Sequence, residues 1–334
     1  MKAIRIEEPG FVNVVEIPSP QPLPGEALLK VRLVGMCGTD LNTFRGRNSM
    51  VAFPRVIGHE VAGSIVSGGD DLAEGTLVTL SPYTNCGVCP SCLRGRPNAC
   101  VTNQTLGVQR DGAMTEYIAV PREKLYPANL SLRELCLVEP LTVGFHAVSR
   151  GRVTAADGVA IFGCGGIGLG AIAASVFRHA NTIAIDMDSA KLEVASKAGA
   201  NHTINSRTDD LHSRLQQLTN GRGPDVVIEA IGLAETFRAA VEEVAFTGRV
   251  VYIGYAKEPV CYETRLFVQK ELDIMGSRNA LPEDFLEVIR MLEGGAFPVE
   301  EAISVVVPMD EAPAMLAEWS AAHGKYTKIM VQIA

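Results

Sequence analysis

Residues 158–168 read GVAIFGCGGIG, and the chain then runs without a charged side chain to Phe177. The apolar GVAIF run predicts a buried β-strand, and Gly163, Gly165 and Gly168 follow it in G-x-G-x-x-G spacing. Such a turn places helix N-terminal N–H groups where a pyrophosphate can accept from them. Gly163 is expected to make the turn, Gly165 to leave the backbone open to phosphate, and Gly168 to let helix and strand close together. Gly166 and Ile167 complete the predicted contact surface. The nineteen uncharged residues 159–177 match the length of a membrane span. Five of them are glycine, and the split into a strand and a helix entry argues against spanning.

A second strand is predicted in TIAIDMD, 182–188, ending in Asp186, eighteen residues after Gly168. A carboxylate there can accept hydrogen bonds from adenosine ribose hydroxyls and would repel a 2′-phosphate, which favours NAD over NADP. Asp188 is the better candidate for capping the helix that starts near Ser189. Further apolar runs at 225–232, 248–255 and 271–277 alternate with helical stretches, the pattern of a parallel sheet covered on both faces. Ile253, Gly254 and Ser277, where the last two runs end, are additional expected cofactor contacts. Residues 147–277 are therefore expected to form an α/β, doubly wound Rossmann domain. Residues 1–146 carry short β-runs punctuated by Gly and Pro, and predict a mainly antiparallel domain. Residues 278–334 are expected to rejoin it after a helix in PEDFLEVIRMLEGG, which would place an active site in the cleft between the domains.

The stretch TNCGVCPSCLRGRPNAC, 84–100, holds four of the eight cysteines: Cys86, Cys89, Cys92 and Cys100. No secretory signal precedes it, so the chain reads as cytoplasmic and disulfides are not expected. The spacing suits four thiolates around one tetrahedral zinc, a closed shell whose role is structural, in a lobe at about 84–101. A zinc module that grips nucleic acid is normally basic. Here 30 Lys+Arg stand against 38 Asp+Glu, a net charge of -8, which excludes nucleic acid as the expected partner.

Three further segments offer donors for a second metal: Cys37 in GMCGTD, His59 and Glu60 in VIGHEVAG, and Glu139 in LVEPLTVGFHAV. Singly, each is as readily a buried core residue. In combination, thiol, imidazole and carboxylate form an established zinc donor set that leaves a position open for substrate.

Together, GHEVAG, CGTD, the cysteine lobe and GCGGIG with its downstream aspartate resemble the medium-chain, zinc-dependent alcohol and polyol dehydrogenases, over essentially the whole chain. The resemblance implies a GroES-like catalytic domain, a catalytic and a structural zinc (Zn2+) per chain, and hydride transfer to NAD. It implies that Cys37 and His59 bind the catalytic zinc, that Glu139 joins them directly or through water, and that Glu60 enters or leaves the shell. Thr39 matches the proton-relay hydroxyl. Two positions depart from many relatives: Asn42 in CGTDLN and Gln109 in GVQRDGAMTEY, where histidine is frequent. Asparagine does not titrate near neutrality, so a relay past Thr39 needs water or another group.

The segment MGSRNALPEDF, 275–285, resembles bacterial sugar-acid dehydrogenases of the L-galactonate and L-gulonate 5-dehydrogenase kind. Arg278, Asn279 and Arg110 are then candidates for holding a substrate carboxylate. A neutral polyol or L-threonine is the alternative substrate, and no membrane partner is expected. The resemblance further suggests a homodimer or homotetramer. The alternative from another class is a non-catalytic nucleotide-sensing or nucleic-acid-binding zinc protein, which has no need of an open zinc position.

Overall fold

The Gly- and Pro-punctuated runs of the first part of the chain form β1 (Lys2–Glu8), β2 (Phe11–Glu16), β3 (Glu26–Met36), β4 (Arg55–Val56), β5 (Glu60–Ser67), β6 (Leu77–Leu80), β7 (Tyr117–Pro121) and β8 (Leu125–Pro127). The computed structural model describes residues 1–68 and 71–333. Along β3, buried and part-exposed residues alternate from Glu26 to Leu33, as in a strand covered on one face. Leu29 and Val31 of β3 pack with Ile4 and Ile6 of β1 and Ile65 of β5 in one core.

The decisive GVAIF run is β9 (Gly158–Phe162), followed by a helix at Gly166–Phe177 and β10 (Asn181–Asp186). β11 (His202–Asn205), β12 (Val226–Glu229), β13 (Arg249–Tyr252) and β14 (Asp273–Gly276) complete a sheet of order β11-β10-β9-β12-β13-β14. Every pairing in it is parallel. All four residues of β12 and the last four of β9 are buried, so neither strand alternates. Strand order reverses between β9 and β12, and doubly wound sheets bind ligands beyond the carboxyl ends at such a reversal. Among the described residues, no helix is long and apolar enough to cross a membrane.

Two late strands, β15 (Val305–Pro308) and β16 (Ile329–Gln332), return to the first sheet, which runs β15-β16-β3-β5-β6-β8 with β7 also on β3. β16 lies antiparallel to β3, with Met330 opposite Gly35.

The chain divides into two units, Met1–Glu139 with Val299–Ala334, and Pro140–Pro298. These divisions stand beside the boundaries expected at 146/147 and 277/278. The first falls inside the Leu132–Arg150 helix, and the second lies beyond the Pro282–Glu293 helix. Helix packing explains the difference: buried His146 Nδ1 lies 2.9 Å from Asp284 Oδ2, and Arg178 donates to Glu287 at 2.7 Å. Both pairs tie the Pro282–Glu293 helix to the parallel-sheet unit, contacts that strand patterning does not reveal.

Candidate functional site

Cys37 follows β3 and caps the Gly38–Phe44 helix, while His59 immediately precedes β5, which Glu60 begins. Cys37 Sγ, a ring nitrogen of His59 and a carboxylate oxygen of Glu60 all lie within 4.8 Å of one another. Asp40 brings these segments together. Its Oδ2 accepts from Cys37 N at 2.9 Å and its Oδ1 from Gly58 N at 3.2 Å. Burial raises the Asp40 pKa, against His59 and those two N–H groups.

His59 is buried, and its Nδ1 has no hydrogen-bond partner among the described residues. Burial alone would lower the His59 pKa, but Cys37, Asp40 and Glu139 outweigh it and hold the pKa well above the ordinary histidine value. An environment that draws a proton onto the imidazole also attracts a metal cation, which displaces that proton on binding. Sulfur, nitrogen and oxygen donors converging at this spacing fit zinc.

The two glutamates are held differently. Both oxygens of Glu60 lie 2.6 Å from Lys328 Nζ, which also reaches Met36 O at 3.3 Å. Burial works against the Lys328 charge, yet Glu60 and Cys37 more than compensate and its pKa is raised. Gly35 provides the space for this pair, since a Cβ there would stand 1.9 Å from Glu60 Oε2. Glu139 lies outside the three-residue cluster, and its Oε1 accepts from the Tyr83 hydroxyl. Burial, then Glu139 itself, pushes the Tyr83 phenol well up, so it remains a neutral donor. Burial also raises the Glu139 pKa, against His59. Thr39 is half-buried, with Oγ1 3.7 Å from Cys37 Sγ, and Asn42 is exposed.

Asp40, Tyr83 and Lys328 were not singled out from the sequence. Asp40 had a local signal, a carboxylate three residues after a helix cap. Tyr83 and Lys328 had none, because their partners lie 56 and 268 residues away.

In the cysteine lobe, Cys86, Cys89, Cys92 and Cys100 converge, their sulfurs within 4.8 Å of one another. Sulfur separations are 3.5 Å for Cys89–Cys92, 3.6 Å for Cys86–Cys100 and 3.9 Å for Cys89–Cys100. Zn–S bonds of about 2.3 Å give a tetrahedron with edges of about 3.8 Å, which these distances straddle. Ser91, then the N–H groups of Cys92 and Val101, lower the Cys89 pKa to about 5, whereas burial pushes Cys92 up to about 11.

In the parallel-sheet unit, Gly163 has φ +97, and a Cβ there would stand 2.7 Å from Ile231 Cγ1. A Cβ on Gly168 would stand 1.8 Å from Gly163 O, whereas Gly165 has nothing within 4 Å. The turn is thus closed between helix and strand and open at Gly165, where the Gly166–Phe177 helix begins with Gly166 and Ile167. This cradle fits a dinucleotide pyrophosphate. Asp186 braces the same turn, accepting from Cys164 N at 2.8 Å and Asp188 N at 3.0 Å. Asp188 caps the Ser189–Lys197 helix through Ala190 N at 2.9 Å. Ile253 and Gly254 follow β13, and Ser277 follows β14 with a buried Oγ that has no hydrogen-bond partner. All these residues stand at carboxyl ends of the strands.

The substrate candidates are less gathered. Arg110 is half-buried and donates to Pro82 O at 3.2 Å, while its Nε is buried without a partner. Burial lowers its pKa. Arg278 is exposed, and Asn279 is half-buried with φ +52.

Residues 23–130 match the family described as alcohol dehydrogenase GroES-like domain, and residues 166–294 match zinc-binding dehydrogenase. The chain is 34% identical to an L-galactonate-5-dehydrogenase of Escherichia coli K12 over 82% of each chain. It is also 34% identical to a sorbitol dehydrogenase of Bacillus subtilis 168, covering 83% of this chain and 81% of that one. Among solved structures, an alcohol dehydrogenase of Escherichia coli CFT073 complexed with NADH superposes with a TM-score of 0.91 at 30% identity, covering 100% of this chain and 99% of that one.

Proposed function

The chain belongs to the zinc-type medium-chain alcohol dehydrogenase family, and from that premise we propose that it oxidises a secondary alcohol of a sugar acid to the keto sugar acid, with NAD as hydride acceptor. The convergence of half-buried Cys37 with buried His59 and Glu60 carries the reading of a catalytic metal centre. Bound zinc supplies Lewis acidity toward the substrate hydroxyl, and the nicotinamide supplies the hydride acceptor.

Cys37 and His59 hold the metal, and Asp40 keeps their backbones in register. Glu139 is the third ligand in this reading. For Glu60 to bind the cation it must leave Lys328, and separating a buried ion pair strands a charge at a cost of about 3–5 kcal/mol. Glu139 accepts at Oε1 from a neutral phenol, Tyr83, whereas both oxygens of Glu60 face an ammonium. Thr39, beside Cys37, takes the substrate proton, and water carries it onward because Asn42 does not titrate.

Asp186 selects NAD in this reading. Replacing it with glycine removes both a charge-assisted acceptor, of about 1.5–3 kcal/mol, and the repulsion of a 2′-phosphate. Asp186→Gly is therefore expected to weaken NAD about ten- to a hundredfold in kcat/KM while NADP gains relative to it. Steady-state kinetics with both cofactors test this, and an unchanged preference counts against the assignment.

The sugar-acid substrate rests on the 275–285 segment and on the L-galactonate relative, with Arg110 and Arg278 as candidate carboxylate partners. The equally similar sorbitol relative supports a neutral polyol as the second reading. The two separate on comparing a five- or six-carbon aldonate with its alditol, following NAD reduction at 340 nm (roughly the NADH absorbance maximum). A guanidinium–carboxylate contact of about 1.5–3 kcal/mol favours the aldonate by about ten- to a hundredfold. A higher kcat/KM for the alditol, or no change in the aldonate value for both Arg110→Ala and Arg278→Ala, overturns carboxylate recognition.

A further inference from the structure

Glu229 is the last residue of β12 and is wholly buried, following Val226, Val227 and Ile228, which are ordinary residues for a covered strand. A carboxylate at such a place is costly unless its oxygens are used. One oxygen is used fully: Oε1 accepts from Ile231 N at 2.9 Å, Gly232 N at 2.8 Å and Thr236 Oγ1 at 2.7 Å. Oε2 is buried and, among the described residues, accepts from no donor. The main-chain oxygen of the same residue accepts from Ile253 N at 2.9 Å and Gly254 N at 3.2 Å. One residue therefore ties together the turns that follow β12 and β13.

Those turns are packed against each other with no spare volume. A Cβ on Gly254 would stand 2.4 Å from Glu229 Oε2 and 2.5 Å from Gly232 N, and one on Gly232 would stand 2.8 Å from Tyr255 O. The chain of contacts continues to the phosphate turn, since Ile231 Cγ1 would lie 2.7 Å from a Cβ on Gly163. Whatever sets the Ile231–Gly232 backbone also sets the wall beside the first glycine of the cofactor cradle.

We propose that Glu229 is a positioning residue for the dinucleotide: it touches no part of the cofactor, but its Oε1 shapes the Ile231–Gly232 turn that flanks Gly163 and its main chain anchors Ile253 and Gly254. This rests on the reading of the strands' carboxyl ends as the NAD site. A valine would fill the strand as well as its neighbours do but would take the side-chain acceptor from two turn N–H groups and leave the Thr236 hydroxyl to the Leu233 carbonyl, 2.9 Å away.

The test measures NADH dissociation constants by fluorescence titration of the full-length, zinc-loaded protein, alongside zinc content and Tm. Glu229→Ala is expected to weaken NADH by about tenfold or more without loss of zinc. Glu229→Gln keeps an oxygen for the same three donors and is expected to bind within about threefold of the parent, which separates turn geometry from charge. Thr236→Val removes one donor and is expected to weaken NADH by about two- to tenfold, and it decides the matter if Glu229→Ala does not fold. Parental NADH affinity in a folded Glu229→Ala, or in Thr236→Val where the alanine variant is unfolded, overturns the proposal. So does equal loss of affinity in the alanine and glutamine variants. Asp186→Gly run in parallel distinguishes the two levels: if it too leaves NADH affinity unchanged, the cofactor reading itself fails.

Discussion

Replacing His59 with alanine is expected to lower kcat/KM for the alcohol substrate by about a thousandfold or more, with one zinc ion lost per chain and NADH affinity within about twofold of the parent. Lewis-acid assistance contributes several kcal/mol to the transition state, and each 1.36 kcal/mol is a factor of about ten in rate. His59 has no other role visible in the fold that would account for such a loss. Its ring lies among the Cys37 and Glu60 donors, and its Nδ1 makes no hydrogen bond among the described residues. The cofactor cradle is built from residues of the other unit, around Gly163 and Asp186, so loss of the imidazole leaves it in place. Metal analysis and NADH titration accompany the kinetics. A His59→Ala protein that turns over like the parent would rule out metal-assisted chemistry at this centre.

The second large effect concerns stability. Cys100→Ser is expected to remove one of two zinc ions and to lower Tm by about 6–12 °C. Structural zinc sites in small modules bind with about 10–16 kcal/mol; if only about 3 kcal/mol of this is expressed as stability, the shift follows from about 2–4 °C per kcal/mol. The lobe has little else to hold it. Val88, Leu93 and Val101 are all about three-quarters exposed, at 74–75%. Cys92→Ser is expected to behave alike because all four thiolates close one shell. Exposed Cys261, outside the lobe, serves as the control, and its serine variant is expected to retain both ions. Parental Tm and two zinc ions in Cys100→Ser would show that the lobe does not depend on metal.

The strand–turn–helix at 158–177 was legible because its whole signal is local: an apolar run, three glycines at fixed offsets and an aspartate at the end of the next strand. The antiparallel domain was legible from short β-runs punctuated by Gly and Pro, and the segments bearing Cys37 and His59 from donor chemistry. The relation between Glu60 and Glu139 was not, since two glutamates carry the same chemistry and an ammonium faces one while a phenol donates to the other. Glu229 is invisible for a similar reason: its importance lies in a turn two residues on and another two dozen residues away. Buried contacts such as His146 with Asp284 join helices far apart along the chain, and strand patterning does not reveal them.

The pairing of Lys328 with Glu60 has a bearing on the order in which a newborn chain can mature. Glu60 and the donors beside it leave the ribosome early, but the lysine that neutralises Glu60 emerges only after the whole parallel-sheet unit has been translated. β16, which carries the chain back beside β3, emerges at the same late stage. The parallel-sheet unit is continuous in sequence and can close while translation proceeds, as domains made first generally do. The unit that holds Glu60 can complete neither its sheet nor this ion pair until β16 has been made.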